Sequence, residues 1–291
     1  MKLTHRRAVW LMVLAALLWS TAGLVTRQLE AARSFEVTFW RSFYAALALL
    51  FILPLWRGPA TVWRGLRTAP AALWWSGLCW SFMFTSFMLA LTMTSVAGVL
   101  VISALNPLCT ALLARLVLGQ RIPSYTWAAI VVAAAGMAWM FGAQLGGASM
   151  AGLLVALCVP LSAAVNWLVV QQAHASGTEV DLVPSVCVGG VLSALYTLPL
   201  AWPLQATAHD VGLLALLGLV QLAIPCTLLV FCARVLRAPE ISLLAQLEVL
   251  FGILLVWVGA GERPATVVLQ GGALVLLALL ANEWILWKKR Q

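Results

Sequence analysis

The chain has 291 residues, of which 64% are hydrophobic and only 9% are charged, and its mean hydropathy is +1.02. Soluble domains carry about a quarter charged residues, so this composition excludes a soluble domain and indicates an integral membrane protein. The net charge of +8 does not indicate a nucleic-acid partner, because the basic residues lie between apolar segments and at both ends rather than along one face.

Ten apolar segments follow one another along the chain, and each is long enough for the roughly 20 helical residues that cross a bilayer. They are continuously apolar rather than alternating, so helices are predicted and strands are not. The first segment follows a basic N-terminus, as in a signal peptide. It lacks a small-residue cleavage site and is long enough to span, so a retained helix is predicted. The predicted spans are 8–28, 36–56, 69–92, 95–118, 124–142, 149–172, 182–203, 210–235, 238–260 and 265–287.

The distribution of lysine and arginine predicts the orientation of these segments. If the N-terminus is cytoplasmic, 13 of the 17 basic residues fall on the inner side. Cytoplasmic loops of membrane proteins carry such an excess. Both termini are therefore predicted to be cytoplasmic.

Two stretches match at a constant offset of 142 residues, namely Ser103–Arg121 and Ala245–Arg263. Both contain leucines at the same positions and end in Gly, then Gln or Glu, then Arg. The offset is near half the chain, so two five-helix units are predicted, residues 1–146 and 147–291. An odd number of spans inverts the second unit, and inverted repeats are typical of secondary transporters whose site lies between the halves.

Glu248 is a lone carboxylate within an apolar segment, and the repeat aligns it with Asn106. An ionisable residue at membrane depth indicates a functional site facing the bundle interior. The alternative is a structural acid that is hydrogen-bonded between helices. Pro107 follows Asn106 and frees a backbone carbonyl near Ser103, which predicts either a polar site or a kink used for packing.

Other polar and aromatic residues are predicted to face the interior, since lipid offers amides no partner. Pro160 and Pro225 predict two further helix breaks. An aromatic wall with hydroxyl groups suits an amphipathic substrate, although tryptophan in membrane helices also serves packing or interfacial roles. The remaining cavity candidates are Trp19, Ser20, Trp80, Ser81, Phe84, Thr85, Asn166, Trp167, Gln221 and Gln246.

Three charged residues near the predicted outer rim form a separate group, Arg27, Glu36 and Arg41. They predict either a gate of ion pairs, with attraction of a substrate carboxylate, or structural charges that snorkel or pair at the rim.

The chain lacks the common signatures of cofactor and metal chemistry. The three histidines are scattered, no cysteines have CxxC spacing, and no HExxH, GxSxG or P-loop sequence occurs. No metal, no cofactor and no enzymatic activity are therefore predicted. The expected partners are a small-molecule substrate and the lipid bilayer, with a monomer favoured over a dimer. A channel or lipid scramblase is the alternative to a transporter.

Four stretches resemble the EamA-type, ten-helix branch of the drug/metabolite transporter superfamily. They read AALLWSTAGLVTR, FWRSFYAAL, LNPLCTALLARLVLGQR and LLAQLEVLFGILLVWVGAGERPATVVLQGGALVLLA. The resemblance implies an all-α integral membrane protein with ten transmembrane helices in two inverted five-helix repeats around a central cavity. Segments 1, 3, 4, 6, 8 and 9 would surround that cavity, and segments 5 and 10 would lie at one side.

The same resemblance implies a function. Members of this superfamily export amino acids, other metabolites or xenobiotics. The aromatic content of this chain leans toward the amino-acid exporters, including the aromatic amino-acid exporter group. The expected function is export of amino acids or related metabolites across a bacterial-type inner (plasma) membrane by alternating access, and the alternative is export of cationic or aromatic xenobiotics.

Overall fold

The structure is a computed structural model that describes residues 3–26, 28–32, 34–94, 99, 102–103, 105–142, 149–175, 182–260 and 265–289. All regular secondary structure in these ranges is helical. The helices are α1 (His5–Trp19), α2 (Ala22–Thr26), α3 (Ser34–Arg57), α4 (Pro59–Arg67), α5 (Ala71–Met93), α6 (Asn106–Leu118), α7 (Ser124–Phe141), α8 (Met150–Ala175), α9 (Val183–Ala201), α10 (Ala208–Cys232), α11 (Ala238–Ala245), α12 (Leu247–Ala260) and α13 (Thr266–Lys288).

Within the described ranges, six helical stretches are long and apolar enough to cross a membrane. They are His5–Thr26, Phe35–Leu55, Ala71–Ala90, Met150–Ala173, Val183–Ala201 and Ala208–Cys232. Three shorter apolar helices lie in α6, α7 and α13. Each of these long or shorter apolar helices overlaps a predicted apolar segment, whereas residues 95–98 and the predicted unit boundary at residue 146 lie outside the described residues. The ten-helix count and the two repeats therefore stay predictions.

Helix α4 is an element that the apolar segments did not predict. It connects α3 to α5, and Pro59 stands in its first turn, where the missing N–H of proline has no helical partner to lose. Val62 and Leu66 pack against the main core, whereas Trp63 and two arginines, Arg64 and Arg67, are exposed. With nine residues, the helix is too short to span a bilayer, which requires about 20 apolar residues.

Several helices are interrupted rather than continuous. α1 and α2 are separated at Ser20 and Thr21, and α11 and α12 are separated at Gln246. In α10, residues Leu217–Ala223 form π-helical turns immediately before Pro225. Since proline has no N–H to donate to the carbonyl four residues earlier, the wider turn accommodates the missing bond.

One predicted interruption is absent. Pro160 lies inside α8, and the helix runs from Met150 to Ala175 without a break. The expectation of a break there was wrong. A proline deprives the helix of one hydrogen bond, and in α8 the turns on both sides keep the helix continuous.

Glycines allow helices to approach at their closest contacts. α7 packs against α13, where the Gly136 backbone lies against that of Gly271. α5 packs against α9 through Gly77 and Gly189 in the same way. Small residues allow this close approach between membrane helices.

The contact between α7 and α13 predicts the effect of a single methyl group. A Cβ at Gly136 would lie 2.8 Å from the Gly271 carbonyl oxygen and 2.9 Å from Val275 Cγ2. Because a backbone atom cannot move aside, we expect Gly136→Ala to lower the free energy of unfolding by about 1–3 kcal/mol. Thermal unfolding of the purified protein in detergent measures this change.

Gly212→Ala is the matched control. Gly212 also lies in a helix, but a Cβ there meets nothing within 4 Å, so alanine should be neutral or stabilise by up to about 1 kcal/mol through helix propensity. Equal melting temperatures for the two variants would contradict the packing described for α7 and α13.

Candidate functional site

A cavity of about 160 Å³ lies among the helices of both halves of the sequence. The predicted segments 1, 3, 4, 6, 8 and 9 all contribute residues to it, and α3 adds one more. Its lining is mostly apolar and aromatic, with a few polar groups. The lining residues are Trp19, Arg41, Trp80, Met83, Phe84, Phe87, Ser103, Asn106, Val159, Ala163, Trp167, Gln221, Leu222, Cys226, Leu229, Ile241, Ala245, Gln246, Glu248 and Val249.

Aromatic rings form one wall of the cavity. Trp80, Phe84 and Phe87 follow one another at helical spacing along α5, which brings their side chains onto the same face of the helix. The Trp80 ring lies 5.4 Å from the Phe84 ring and 5.7 Å, edge to face, from the Trp167 ring of α8. Both tryptophans are buried, so this wall is held by ring-to-ring contacts between two helices.

Arg41 provides a positive charge at the cavity. It lies two turns into α3 and is only 4% exposed. Its Nη1 donates a long hydrogen bond of 3.5 Å to Gln221 Oε1, and its Nη2 donates one of 3.3 Å to the Phe84 carbonyl oxygen. Arg41 was expected at the outer rim, but these bonds turn its guanidinium into the cavity.

Glu248 provides a negative charge in the same cavity. It lies in the first turn of α12, directly after the interruption at Gln246, where the helix N-terminus stabilises a carboxylate. Arg41 lies within electrostatic range of it. Among the described residues, the two side chains form no direct ion pair within 4 Å. The cavity therefore holds two opposite charges that are separated from each other.

The interruptions before Asn106 and Leu247, which the 142-residue offset of the sequence aligns to within one residue, both lie at this cavity. α6 begins at Asn106, with Pro107 in its first turn, and Gln246 Nε2 donates a hydrogen bond of 3.5 Å to the Ser103 carbonyl oxygen. Beside it, Thr110 Oγ1 and Ser242 Oγ lie 2.9 Å apart. Asn106 and Glu248, which the repeat aligns, thus line one cavity.

Four predicted cavity residues lie outside the cavity lining, and two of them, Thr85 and Asn166, bond to a neighbouring helix. The hydroxyl groups of Ser20 and Ser81 donate to carbonyl oxygens of their own helical turns. Thr85 Oγ1 lies 3.0 Å from Ser193 Oγ and 2.6 Å from the Tyr196 hydroxyl oxygen, both in α9. Asn166 Oδ1 accepts a bond of 2.6 Å from Ser76. Successive helical residues are turned by about 100°, so Trp80 and Phe84 face the cavity whereas Ser81 and Thr85 do not.

The remaining predicted candidates line the cavity. Arg41 and several apolar residues that were not cavity candidates line it as well. Met83 and Phe87 continue the stripe of Trp80 at helical spacing and could have been found from that periodicity. The lining aliphatic residues and Cys226 give no sequence signal, because such residues occur throughout these segments.

Glu36 and Asp210 anchor two loops at one end of the bundle. Glu36 accepts hydrogen bonds of 2.8–3.0 Å from the backbone N–H groups of Gln205 and Ala206, and one of 3.3 Å from Trp40 Nε1. Glu36 was predicted to belong to an ion-pair gate or a rim salt bridge, yet it has no cationic partner among the described residues. Arg27 lies outside the described residues.

Asp210 binds the second of these loops, which contains residues 30–32. Its carboxylate accepts bonds of 2.8–3.0 Å from the N–H groups of residues 30–32. It also accepts a bond of 3.4 Å from the N–H of Thr207, whose hydroxyl caps the same helix. Each carboxylate therefore binds a backbone segment that lies about 170–180 residues away in the sequence.

Residues 6–142 match the EamA-like transporter family. The matched region is slightly less than half of the chain. Together with the long apolar helices, the match supports a multi-pass membrane protein that transports small molecules, and it supports the predicted link to the drug/metabolite transporter superfamily.

The likeness of fold extends over nearly the whole chain. A solved structure titled "Crystal structure of protein" is similar over 99% of this chain and 100% of its own, with a TM-score of 0.79 and 21% sequence identity. At this identity the likeness shows the fold alone. No protein with a curated description matches the sequence.

The Asp210 contacts predict a loss of stability on neutralisation. In Asp210→Asn, one acceptor becomes an NH₂ group that faces backbone N–H donors. Because hydrogen bonds to a charged acceptor are worth about 1.5–3 kcal/mol, we expect the free energy of unfolding to fall by that amount. Thermal unfolding in detergent measures it.

Glu30→Gln is the control, since Glu30 lies in the loop that Asp210 binds but its side chain is 62% exposed. It should change stability by less than about 0.5 kcal/mol. If Asp210→Asn were as stable as Glu30→Gln, the backbone contacts of Asp210 would not contribute to the fold.

Proposed function

We propose that the chain is a secondary transporter that exports amino acids, aromatic ones among them, or related small metabolites across the inner membrane by alternating access. One observation carries this proposal. A single cavity is lined from both halves of the sequence and combines an aromatic wall with one buried cation and one carboxylate. Such a cavity suits a small, partly apolar solute that bears charged groups.

The proposal includes two inverted five-helix repeats, and the helix contacts support it. The 142-residue offset relates segment 1 to 6, 3 to 8 and 4 to 9. Helix α5 lies in segment 3 and α8 in segment 6, so their contact corresponds to the contact of α10 (segment 8) with α1 (segment 1). In the same way, the contact of α6 (segment 4) with α8 corresponds to the contact of α12 (segment 9) with α1. All four contacts occur. The interruptions before Asn106 and Leu247 also fall within one residue of the offset.

The proposed orientation, with both termini in the cytoplasm, is supported by the position of basic residues. α4 presents Arg64 and Arg67 on an exposed surface between two long apolar helices, on the side that the cation excess assigns to the cytoplasm. In this orientation, the loops held by Glu36 and Asp210 lie on the outer side.

Export of cationic or aromatic xenobiotics is the second candidate. The aromatic wall and Glu248 favour it, because a cation can lie over aromatic faces beside a carboxylate. Arg41 weighs against it, since a buried guanidinium in the same cavity repels a cation. Passive flux through a channel or scramblase is supported by no feature of the described residues.

Proteoliposome counterflow tests the proposed function. Vesicles containing the purified protein are loaded with an unlabelled amino acid and diluted into a trace of the labelled one, with a panel that covers aromatic, aliphatic and cationic solutes. A secondary transporter gives saturable, transient accumulation. Non-saturable flux without accumulation indicates a channel, and no exchange of any amino acid would refute the proposal.

Glu248 predicts the effect of removing one charge from the cavity. We expect Glu248→Gln to lower the counterflow rate roughly tenfold or more, because losing a charged hydrogen bond to the solute costs about 1.5–3 kcal/mol. Any acceleration by an imposed pH gradient should also disappear, since an amide carries no proton. Glu30→Gln, which changes an exposed acid in a loop, is the control. Normal transport by Glu248→Gln at all pH values would show that the carboxylate is structural.

A further inference from the structure

Three buried polar atoms of the cavity lining have no partner among the described residues, namely Arg41 Nε, Trp80 Nε1 and Ser103 Oγ. The two nitrogen groups can only donate, whereas the hydroxyl can donate or accept. Arg41 is 4% exposed and Trp80 only 1%. Buried polar groups in native structures are almost always hydrogen-bonded, and each exception calls for an explanation. Leaving such a donor unpaired is unfavourable, so an acceptor supplied by a solute would satisfy it and be bound more tightly.

The bonds that Arg41 already makes restrict what it can bind. A guanidinium carries five N–H bonds, and the Gln221 side chain and the Phe84 carbonyl accept two of them. These two acceptors hold the group in one orientation and leave the Nε–H free. A guanidinium with free N–H bonds in a fixed orientation suits a planar, two-oxygen anion such as a carboxylate.

The indole of Trp80 supports the same ligand chemistry. Its N–H can only donate, so it matches an acceptor and not an ammonium group. The indole lies in the cavity wall that also contains Phe84, whose carbonyl fixes Arg41. Arg41 in α3 and Trp80 in α5 thus each bring one unpaired donor to residues that line the same cavity.

Glu248 has the opposite requirement. It lines the same cavity, lies in electrostatic range of Arg41, and forms no ion pair with it among the described residues. Glu248 is partly buried, and a charge that is removed from water without a partner is unfavourable. A simple cation would satisfy Glu248 and be repelled by Arg41, and a simple anion would do the reverse. A solute with both charges satisfies both.

We propose that Arg41 and Trp80 form a carboxylate subsite, that Glu248 forms an ammonium subsite, and that the cavity selects zwitterions over amines and carboxylic acids. This inference rests on the proposed transport function and adds to it how the solute is oriented. The apolar part of the solute lies against the aromatic wall of Phe84, Phe87 and Trp167. The substrate class is then zwitterionic amino acids with apolar side chains.

Direct binding tests the assignment without depending on transport. The purified protein in detergent is titrated by isothermal calorimetry with phenylalanine, with phenethylamine, which lacks the carboxylate, and with 3-phenylpropionate, which lacks the ammonium group. Leucine, isopentylamine and 4-methylpentanoate form a second set. We expect the amino acid of each set to bind at least roughly tenfold more tightly than its amine or acid, since each lacks one charged contact.

Trp80→Phe tests the indole N–H while keeping an aromatic ring in the wall. We expect it to weaken phenylalanine and 3-phenylpropionate binding several-fold and to change phenethylamine binding by less than about twofold. Trp74→Phe is the matched control, because Trp74 lies on the same helix but is exposed and outside the cavity. Arg41→Lys should weaken the same two ligands further, since an ammonium group cannot replace the guanidinium geometry.

The outcomes separate the two proposals. Tight zwitterion binding without counterflow would refute the transport function and support the subsites. Counterflow of phenylalanine with equal binding of phenethylamine would overturn the subsites and leave the transport function standing. Equal effects of Trp80→Phe and Trp74→Phe on all three ligands would also overturn the carboxylate subsite.

Discussion

A hydrocarbon environment offers no hydrogen-bond partner to a polar side chain, and this constraint accounts for much of the structure. Asn166 and Ser76 join α8 to α5, and the hydroxyls of Thr110 and Ser242 join α6 to α11. At one end of the bundle, the carboxylate of Asp210 holds the backbone of a distant loop. These residues join parts of the bundle and do not belong to the cavity lining.

The cavity is one of the places where this rule is incompletely met, together with positions outside it such as Asn166 Nδ2 and Thr227 Oγ1. Arg41 Nε and Trp80 Nε1 are buried without an acceptor among the described residues, and Glu248 lies nearby without a direct cationic partner there. Satisfied groups stabilise the bundle, whereas unsatisfied groups with a fixed orientation favour a ligand that completes them. The same physical rule therefore underlies both the bonds that join the helices and the zwitterion binding that we propose for the cavity.

The position of the cavity wall depends on close helix packing away from the cavity. A Cβ at Gly189 would overlap Trp80 Cβ, so only glycine lets α9 support the Trp80 backbone at this distance. In α10, the π-helical turns before Pro225 set the direction of Gln221, which in turn accepts a hydrogen bond from Arg41. Packing in the second half of the chain thereby orients a charge that belongs to the first half.

The sequence by itself determined that the chain is helical and embedded in a membrane, and it singled out Glu248 as a lone acid within an apolar run, because the bilayer constrains both features wherever they occur in a fold. It could not determine which side of α5 faces the cavity. Trp80 and Ser81 are adjacent in the sequence and lie on different sides of the helix, and every side is apolar enough to be buried. Nor could it tell that Arg41 turns inward or that α8 continues through Pro160. Only the tertiary structure decided these points, because the direction of a side chain and the cost of a missing backbone bond depend on the neighbouring helices.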